Sequence, residues 1–225
     1  MGGRAMAKLR LLFIKENQAS YISHLDLMRT FQRVFPRGGL ELRHSQGFHP
    51  HPLISIVLPL PVGQSSDCEL LDFEVEQDID GTGVAEILNT GLPAGLRVRD
   101  CYCVKRPARD LAYLRARLEF DYDHGVPDGA LGKLRVLFAQ DEVLVEKRTK
   151  HKDLAQINVA PLIRSVEWTK VKNLVTADVI VAAQNPGLNP ALLANAVSAY
   201  LPELTPDFAR VRRLELYDAE INVFR

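Results

Sequence analysis

Two successive β-α-β-β-α-β patterns along 225 residues predict an α+β fold with two tandem ferredoxin-like (split βαβ) domains and antiparallel sheets. In each half, short β-rich runs alternate with helix-like stretches. Hydrophobic residues make up 47% of the chain and charged residues 25%, which is the balance of a folded globular protein. The segment 106–110 separates the two patterns. We therefore predict an N-terminal domain at residues 7–108 and a C-terminal domain at residues 109–225.

The first half opens with a β-rich run at residues 9–15 and a helix with a marked start and end. Ser23 followed by Asp26 resembles a capping box, so the helix is expected to begin there. Its apolar stripe ends at Pro36, with two glycines after it. The other predicted elements are strands at 40–44, 69–76 and 96–104, a helix at 84–89, and an extra strand or arm around 53–60.

The second half repeats this order of elements without clear residue identity to the first. Strands are predicted at 113–122, 142–149, 177–183 and 210–217. Helices are predicted at 129–138 and 191–201, and the second of these is alanine-rich and follows a proline. The stretch 155–169 is an insertion that can form an extra strand.

Composition limits the class of protein and its location. No apolar run approaches the roughly 18 residues that span a bilayer, and no secretory leader is visible, so we expect a cytoplasmic protein without membrane partners. Residues 1–6 are interpreted as an alternative start before the fold. Three cysteines are an odd number, which favours reduced thiols. Cys101 and Cys103 alternate on a predicted strand, so two buried thiols are favoured over a redox or metal site.

Charge is balanced over the chain but uneven along it. Lysine plus arginine and aspartate plus glutamate number 28 each. Residues 1–63 carry eight basic and three acidic side chains, whereas residues 64–80 carry seven acidic and no basic ones. One surface of the first half is therefore expected to be basic. A second basic cluster, residues 147–152, is either a polyanion contact or a solvated strand end.

Four of the six histidines, His24, His44, His49 and His51, fall within 28 residues. Imidazole can serve as a general acid or base, contact phosphate when protonated, or bind a metal when neutral. No cysteine pair or HExxH motif accompanies them, so we predict no metal site and no cofactor. The structural alternative is that His24 helps to cap its helix and that His49 and His51 are polar loop residues.

Residues 45–52 combine an amide, a glycine and an aromatic ring beside these histidines. Gln46, Gly47 and Phe48 could stack a base and hydrogen-bond its edge, or Phe48 could pack into the core. Arg29 and Arg33 share a helix face and form either a phosphate fork or a solvated surface pair. The predicted ligand-binding residues are Ser23, His24, Asp26, Arg29, Arg33, His44, Gln46, Gly47, Phe48, His49 and His51; His24, His49 and His51 are the catalytic candidates.

Three separated motifs occur in order at residues 21–29 (YISHLDLMR), 44–52 (HSQGFHPHP) and 58–63 (LPLPVG). They resemble the radical-SAM-linked protein family, a bacterial domain of unknown function found beside, or fused to, a radical S-adenosylmethionine (SAM) protein. Residues 89–96 and 157–163 extend the resemblance over most of the chain. The first helix ends earlier than is usual in that family, and the cysteine triad that holds an iron–sulfur cluster is missing from the sequence. The resemblance implies partnership with a radical SAM protein and RNA- or ribosome-related work.

Two functions and a scaffold role follow as hypotheses. The first is a non-catalytic accessory protein that binds RNA or presents substrate to a radical SAM enzyme. The second is a metal-independent endoribonuclease, similar to RAMP-type CRISPR RNA-processing nucleases, in which His24 acts as general acid or base with His49 or His51. A pure scaffold is the third, and it predicts that changes at His24, Gln46 and His49 alter stability but no binding.

Overall fold

A computed structural model describes residues 8–148 and 154–225, and these fold into two compact units. The first unit ends at Arg109 and the second is Asp110–Phe224. Strands pair antiparallel in both units, which confirms the predicted α+β class with antiparallel sheets. The prediction for residues 1–6 lies outside the described residues, and independent folding of domains 7–108 and 109–225 stays a prediction.

The first unit packs two helices on a four-stranded sheet. Its sheet order is β4-β1-β3-β2. The elements are β1 (Leu9–Lys15), α1 (His24–Arg37), β2 (Ile54–Ile56), β3 (Ser65–Phe73), α2 (Val84–Asn89) and β4 (Leu96–Cys103).

Helix α1 forms where its cap and apolar stripe predict it. Leu27, Phe31, Val34 and Phe35 are buried on the core side of the helix. The Phe31 ring lies 5.0 Å from that of Phe13 on β1, in an edge-to-face arrangement that favours the pair beyond its buried area. The helix ends at Arg37, one residue after Pro36, and Gly38 is its C-cap.

Residues 40–44 do not form the predicted strand. They form only isolated bridges, Leu42 with Val75 and His44 with Pro52, while Ile54–Ile56 takes the edge position beside β3. The reason is that residues 41–43 pair with chain beyond the C-terminal end of β3, as shown by the 2.9 Å hydrogen bond from Arg43 N to Glu74 O. The extra strand expected around 53–60 is therefore the short sheet strand β2.

The second unit places four strands in the order β10-β5-β9-β8. In its core, the centroid of the Trp168 ring lies 5.8 Å from that of Phe120 and 5.4 Å from that of Phe138. The elements are β5 (Tyr113–Asp121), α3 (Ala130–Phe138), β6 (Leu144–Arg148), β7 (Leu154–Asn158), β8 (Ile163–Val171), β9 (Leu174–Ala182), α4 (Leu192–Tyr200) and β10 (Phe208–Tyr217).

One strand assignment in this unit is wrong. The strand expected at 142–149 as part of the sheet is β6, and it pairs with β7 in a separate two-stranded sheet. The sheet position belongs instead to β8, from the stretch treated as an insertion. The physical reason is that β8 and β9 are joined directly through Lys172, whose φ of 52° makes a tight turn between two nine-residue strands.

Within residues 8–148 and 154–225, no helix is long and apolar enough to cross a membrane.

Candidate functional site

Residues 43–53 form a paired arm at the edge of the first unit. Leu53 N donates to Arg43 O at 2.7 Å, and Ser45 N donates to His51 O at 2.9 Å. Glu74 holds the base, because its amide donates to Leu53 O at 3.1 Å and its carbonyl accepts from Arg43 N. These bonds leave residues 46–50 as the tip of the arm.

The Ser45 and His51 side chains reinforce the arm below its tip. Ser45 Oγ lies 2.7 Å from His51 Nδ1, and the His51 amide donates to the same hydroxyl at 3.2 Å. Pro50 and Pro52 restrict the backbone on either side of His51. The His51 ring therefore has one nitrogen engaged in the fold, while its Nε2 is the nitrogen that can meet a ligand.

Phe48 at the tip points into solvent, with a relative exposure of 101%. The alternative that Phe48 packs into the core is therefore wrong. Gln46, Gly47 and His49 beside it are exposed as well. The backbone hydrogen bonds on both sides of the tip restrain the arm, which reduces the conformational entropy lost when the arm is ordered on binding.

The start of α1 is an interlocked polar cluster. Ser23 Oγ accepts the Asp26 amide at 3.2 Å and donates to Asp26 Oδ2 at 2.8 Å, and Arg29 donates to Asp26 Oδ1 at 3.1 Å. The hydrogen bonds from Ser23 and then from Arg29 lower the pKa of the Asp26 carboxyl. Ser23 is the N-cap and His24 is exposed in the first turn, so the interpretation of His24 as a capping residue is wrong.

Three arginines at four-residue spacing, Arg29, Arg33 and Arg37, form one exposed line along α1, which we call the arginine ridge. Asp26 pairs with Arg29. Arg33 and Arg37 have no ion pair with any residue of the described ranges. Like charges at this spacing cost a helix about 0.2–0.5 kcal/mol per pair. The ridge is therefore a surface where an anion would relieve repulsion.

An open pocket of about 420 Å³ lies between α1 and the base of the arm. Gln32 and Pro36 of α1 face His44 and Pro52 of the arm across it. Arg29 and Arg33 lie three residues before Gln32 and Pro36, and side chains at this spacing are neighbours on a helix surface, so this part of the ridge runs beside the pocket. Glu41, Leu42 and Glu76 complete the lining.

The histidines do not converge on one point. His44 lines this pocket, whereas His51 lines a smaller one of about 230 Å³ with Lys8 and Asp72. Gln32 lies eight residues along α1 from His24, a rise of about 12 Å. Among the described residues, no hydrogen bond joins His24 to the arm.

Three of the basic side chains that were expected to make the surface of residues 1–63 positive, Lys8, Arg10 and Arg43, are neutralised by the acidic run, whereas within the described ranges Arg33 and Arg37 are not. The acidic run folds onto this surface because β3 is the antiparallel neighbour of β1. Asp72 pairs with Arg10 at 2.6 Å and with Lys8 at 3.0 Å, and Glu74 pairs with Arg43 at 2.9 Å. Of the basic cluster 147–152, residues 149–152 lie outside the described residues.

Cys101 is a weakly reactive thiol. It is half-buried against the core of the first unit, and burial, followed by the nearby Asp100 carboxylate, raises its pKa to about 12. Since the thiolate is the reactive form, Cys101 stays protonated near neutral pH.

We expect Cys101 to resist iodoacetamide at pH 8 in the folded protein and to react fully in urea, as measured by peptide mass spectrometry. Cys68, which is 1% exposed, is a second protected thiol for comparison. Equal labelling of Cys101 with and without urea would contradict this assignment.

In the described part of the chain, the side chains that could bind a metal do not converge on one point. No group of three or more histidine, cysteine, aspartate or glutamate side chains there is arranged to hold an ion.

Sequence reasoning missed three polar residues of the pocket, Gln32, Glu41 and Glu76. They come from α1 and from two chain segments that meet through the pairing of residues 41–43 with residues 74–76. Their spacing in sequence carries no motif. The one available signal was Gln32, which lies three residues after Arg29 and is therefore its neighbour on the surface of the predicted helix.

The fold and site define a two-unit α+β protein with an exposed aromatic arm beside a basic helix face. The chain belongs to the DUF2344 family, described as an uncharacterized protein conserved in bacteria, and the family model matches residues 8–190. A comparison with curated proteins finds no significant match.

Two solved structures are similar to this chain at low identity. A chain from the crystal structure of a Cbf5-Nop10-Gar1 complex is 13% identical with a TM-score of 0.45, covering 92% of this chain and 48% of that one. This chain therefore spans about half its length. An unknown protein from Galdieria sulphuraria is 10% identical with a TM-score of 0.28, covering 92% of this chain and 98% of that one.

Proposed function

We propose that this protein is a non-catalytic accessory protein that binds single-stranded RNA and serves a partner radical SAM enzyme. The observation that carries the proposal is the fully exposed Phe48 ring on an arm whose base lies across a pocket from α1, the helix that carries the arginine ridge. Aromatic side chains stack on nucleic-acid bases whatever the base sequence, and arginines neutralise the phosphates of the neighbouring nucleotides.

The ferredoxin-like nature of both units is part of this proposal. Its support is the sheet order, in which the last strand lies beside the first, followed by the third and second counted within each unit. Two helices accompany each of these sheets, and the second unit adds the two-stranded β6–β7 sheet. Ferredoxin-like units serve many functions, so the RNA assignment rests on the arm and the ridge.

Partnership with a radical SAM enzyme rests on the resemblance of residues 21–29, 44–52 and 58–63 to the radical-SAM-linked family. In this arrangement the present chain holds the RNA and the partner supplies the chemistry. The endoribonuclease alternative, which pairs His24 with His49 or His51, has less support, because His24 lies in the first turn of α1, about 12 Å along the helix from Gln32, where α1 meets the pocket beside the arm.

Replacing Phe48 by alanine is expected to weaken binding of a fluorescently labelled single-stranded RNA about tenfold, because stacking contributes about 1–3 kcal/mol per base. Fluorescence anisotropy at several salt concentrations measures the affinity. The matched control is Phe208→Ala, which removes another exposed aromatic ring in the second unit.

Loss of affinity in the Phe48→Ala variant alone supports the arm as the contact. Equal affinities for all three proteins, or binding that is independent of salt, would contradict RNA binding at this surface. Association with the radical SAM protein is tested separately, by co-purification from a bacterium that encodes both, and its absence would remove that partner from the proposal.

A further inference from the structure

The pocket between α1 and the arm contains carboxylates that the fold does not use. Glu76 N donates to Glu41 O at 2.9 Å, so the two residues are neighbours on paired backbone. Neither carboxylate makes an ion pair or hydrogen bond with a residue in the described ranges. Like charges on directly paired residues are destabilising. A ligand that donates hydrogen bonds would relieve this repulsion.

The remaining lining suits a flat heterocycle. Pro36, Leu42 and Pro52 give the pocket apolar walls, and His44 adds an aromatic ring. The volume of about 420 Å³ is in the range of small-molecule sites. Unstacked RNA bases are bound in this way, with one face against an aromatic or apolar side chain and the edge hydrogen-bonded.

The hydrogen-bonding groups on the Watson–Crick edge decide which nucleic-acid base two carboxylates can bind. An ionised carboxylate only accepts hydrogen bonds, and its two oxygens can take two parallel donors. Guanine presents adjacent N1–H and N2–H donors on its Watson–Crick edge. Adenine and cytosine present one amino group beside an acceptor, and uracil presents one N–H between two carbonyls.

We propose that this pocket binds a guanine base of single-stranded RNA, which donates its N1–H and N2–H groups to the carboxylates of Glu41 and Glu76. The proposal rests on the RNA-binding function above and adds a base preference to it. Arg29 and Arg33 lie on the row of α1 next to the pocket and meet the phosphates on either side of the guanosine. Phe48 stacks on a neighbouring base.

The first test uses oligouridine strands that carry a single guanosine, inosine or adenosine. Inosine lacks only the 2-amino group of guanosine. We expect guanosine to be bound tighter than inosine by roughly tenfold, because inosine lacks the one N2–H hydrogen bond to a charged carboxylate. The double variant Glu41→Gln, Glu76→Gln is expected to lose this preference, whereas Glu86→Gln, an exposed glutamate on α2, keeps it.

The second test uses free guanosine monophosphate and inosine monophosphate, followed by shifts in the amide resonances of Gln32 and His44. If all the oligonucleotides bind with the same affinity whatever the single base, and the Phe48→Ala variant still loses affinity, the guanine pocket is overturned and RNA binding remains supported. Binding of guanosine monophosphate in preference to inosine monophosphate, without binding of any oligonucleotide, would support the pocket and overturn RNA binding. No binding in either test would overturn both.

Discussion

The Asp72→Ala variant is expected to lose about 3–5 kcal/mol of unfolding free energy, which is the usual cost of removing one partner from a buried ion pair. The Asp72 side chain is 3% exposed, and it accepts from Arg10 Nε at 2.6 Å and from Arg10 Nη2 at 3.1 Å. Arg10 itself is fully buried. Without the carboxylate, the guanidinium loses two charge-assisted hydrogen bonds in a place that water does not reach. Urea denaturation followed by circular dichroism measures the loss.

Two further variants separate this explanation from a general effect of losing a surface charge. Glu203→Ala removes an acid from the half-exposed pair with Lys133 and is expected to change stability far less. Arg10→Met combined with Asp72→Leu removes both charges and is expected to recover much of the loss. An Asp72→Ala protein as stable as the natural one would show that the pair contributes nothing to the fold.

The Gly95→Ala variant is expected to lose about 2–5 kcal/mol of unfolding free energy, from backbone strain and steric overlap together. Gly95 has a φ of +86°, and a Cβ there would lie 2.3 Å from Glu16 O and 2.9 Å from Ala19 Cβ. The same residue accepts a hydrogen bond from Glu16 N at 2.9 Å. The added methyl group therefore pushes β4 away from the turn that leads into α1. Thermal and urea unfolding both report the loss.

Gly63→Ala is the matched control, because Gly63 has nearly the same φ of +85° with nothing within 4 Å of the added carbon. It experiences only the backbone strain, about 1 kcal/mol. If the two variants lost the same stability, the close approach of Gly95 to Glu16 and Ala19 would not be the cause.

Local signals in the sequence were sufficient for the helices. The Ser23 cap and the stripe through Phe31 place α1 to within a residue, and α2 occupies Val84–Asn89 as predicted. These patterns are local because a helix bonds to itself. Strand partners depend on distant chain, which is why β8 was assigned to an insertion and β6 to the sheet.

The candidate site was predictable in composition but not in arrangement. The residues at 45–52 were identified as polar and aromatic, and the structure shows that the Phe48 ring is exposed. The pairing within residues 43–53 that forms the arm depends on the folded structure and could not be predicted from the sequence. The same is true of the contact between the backbones of Glu41 and Glu76 beside α1. Charge was misleading for the same reason, since a count along the chain does not show that Asp72 and Glu74 lie against Lys8, Arg10 and Arg43.

The side chain of Asn89 at the end of α2 has an effect on how the protein behaves in a crowded solution. Its amide donates to Val98 O at 2.9 Å and accepts from Val98 N at 2.8 Å, on the strand at the outer edge of the first unit's sheet. Unpaired edge groups invite the strand of another molecule and so start intermolecular sheets. Asn89 satisfies that pair of groups from within the chain, and it thereby helps to keep neighbouring molecules from joining edge to edge.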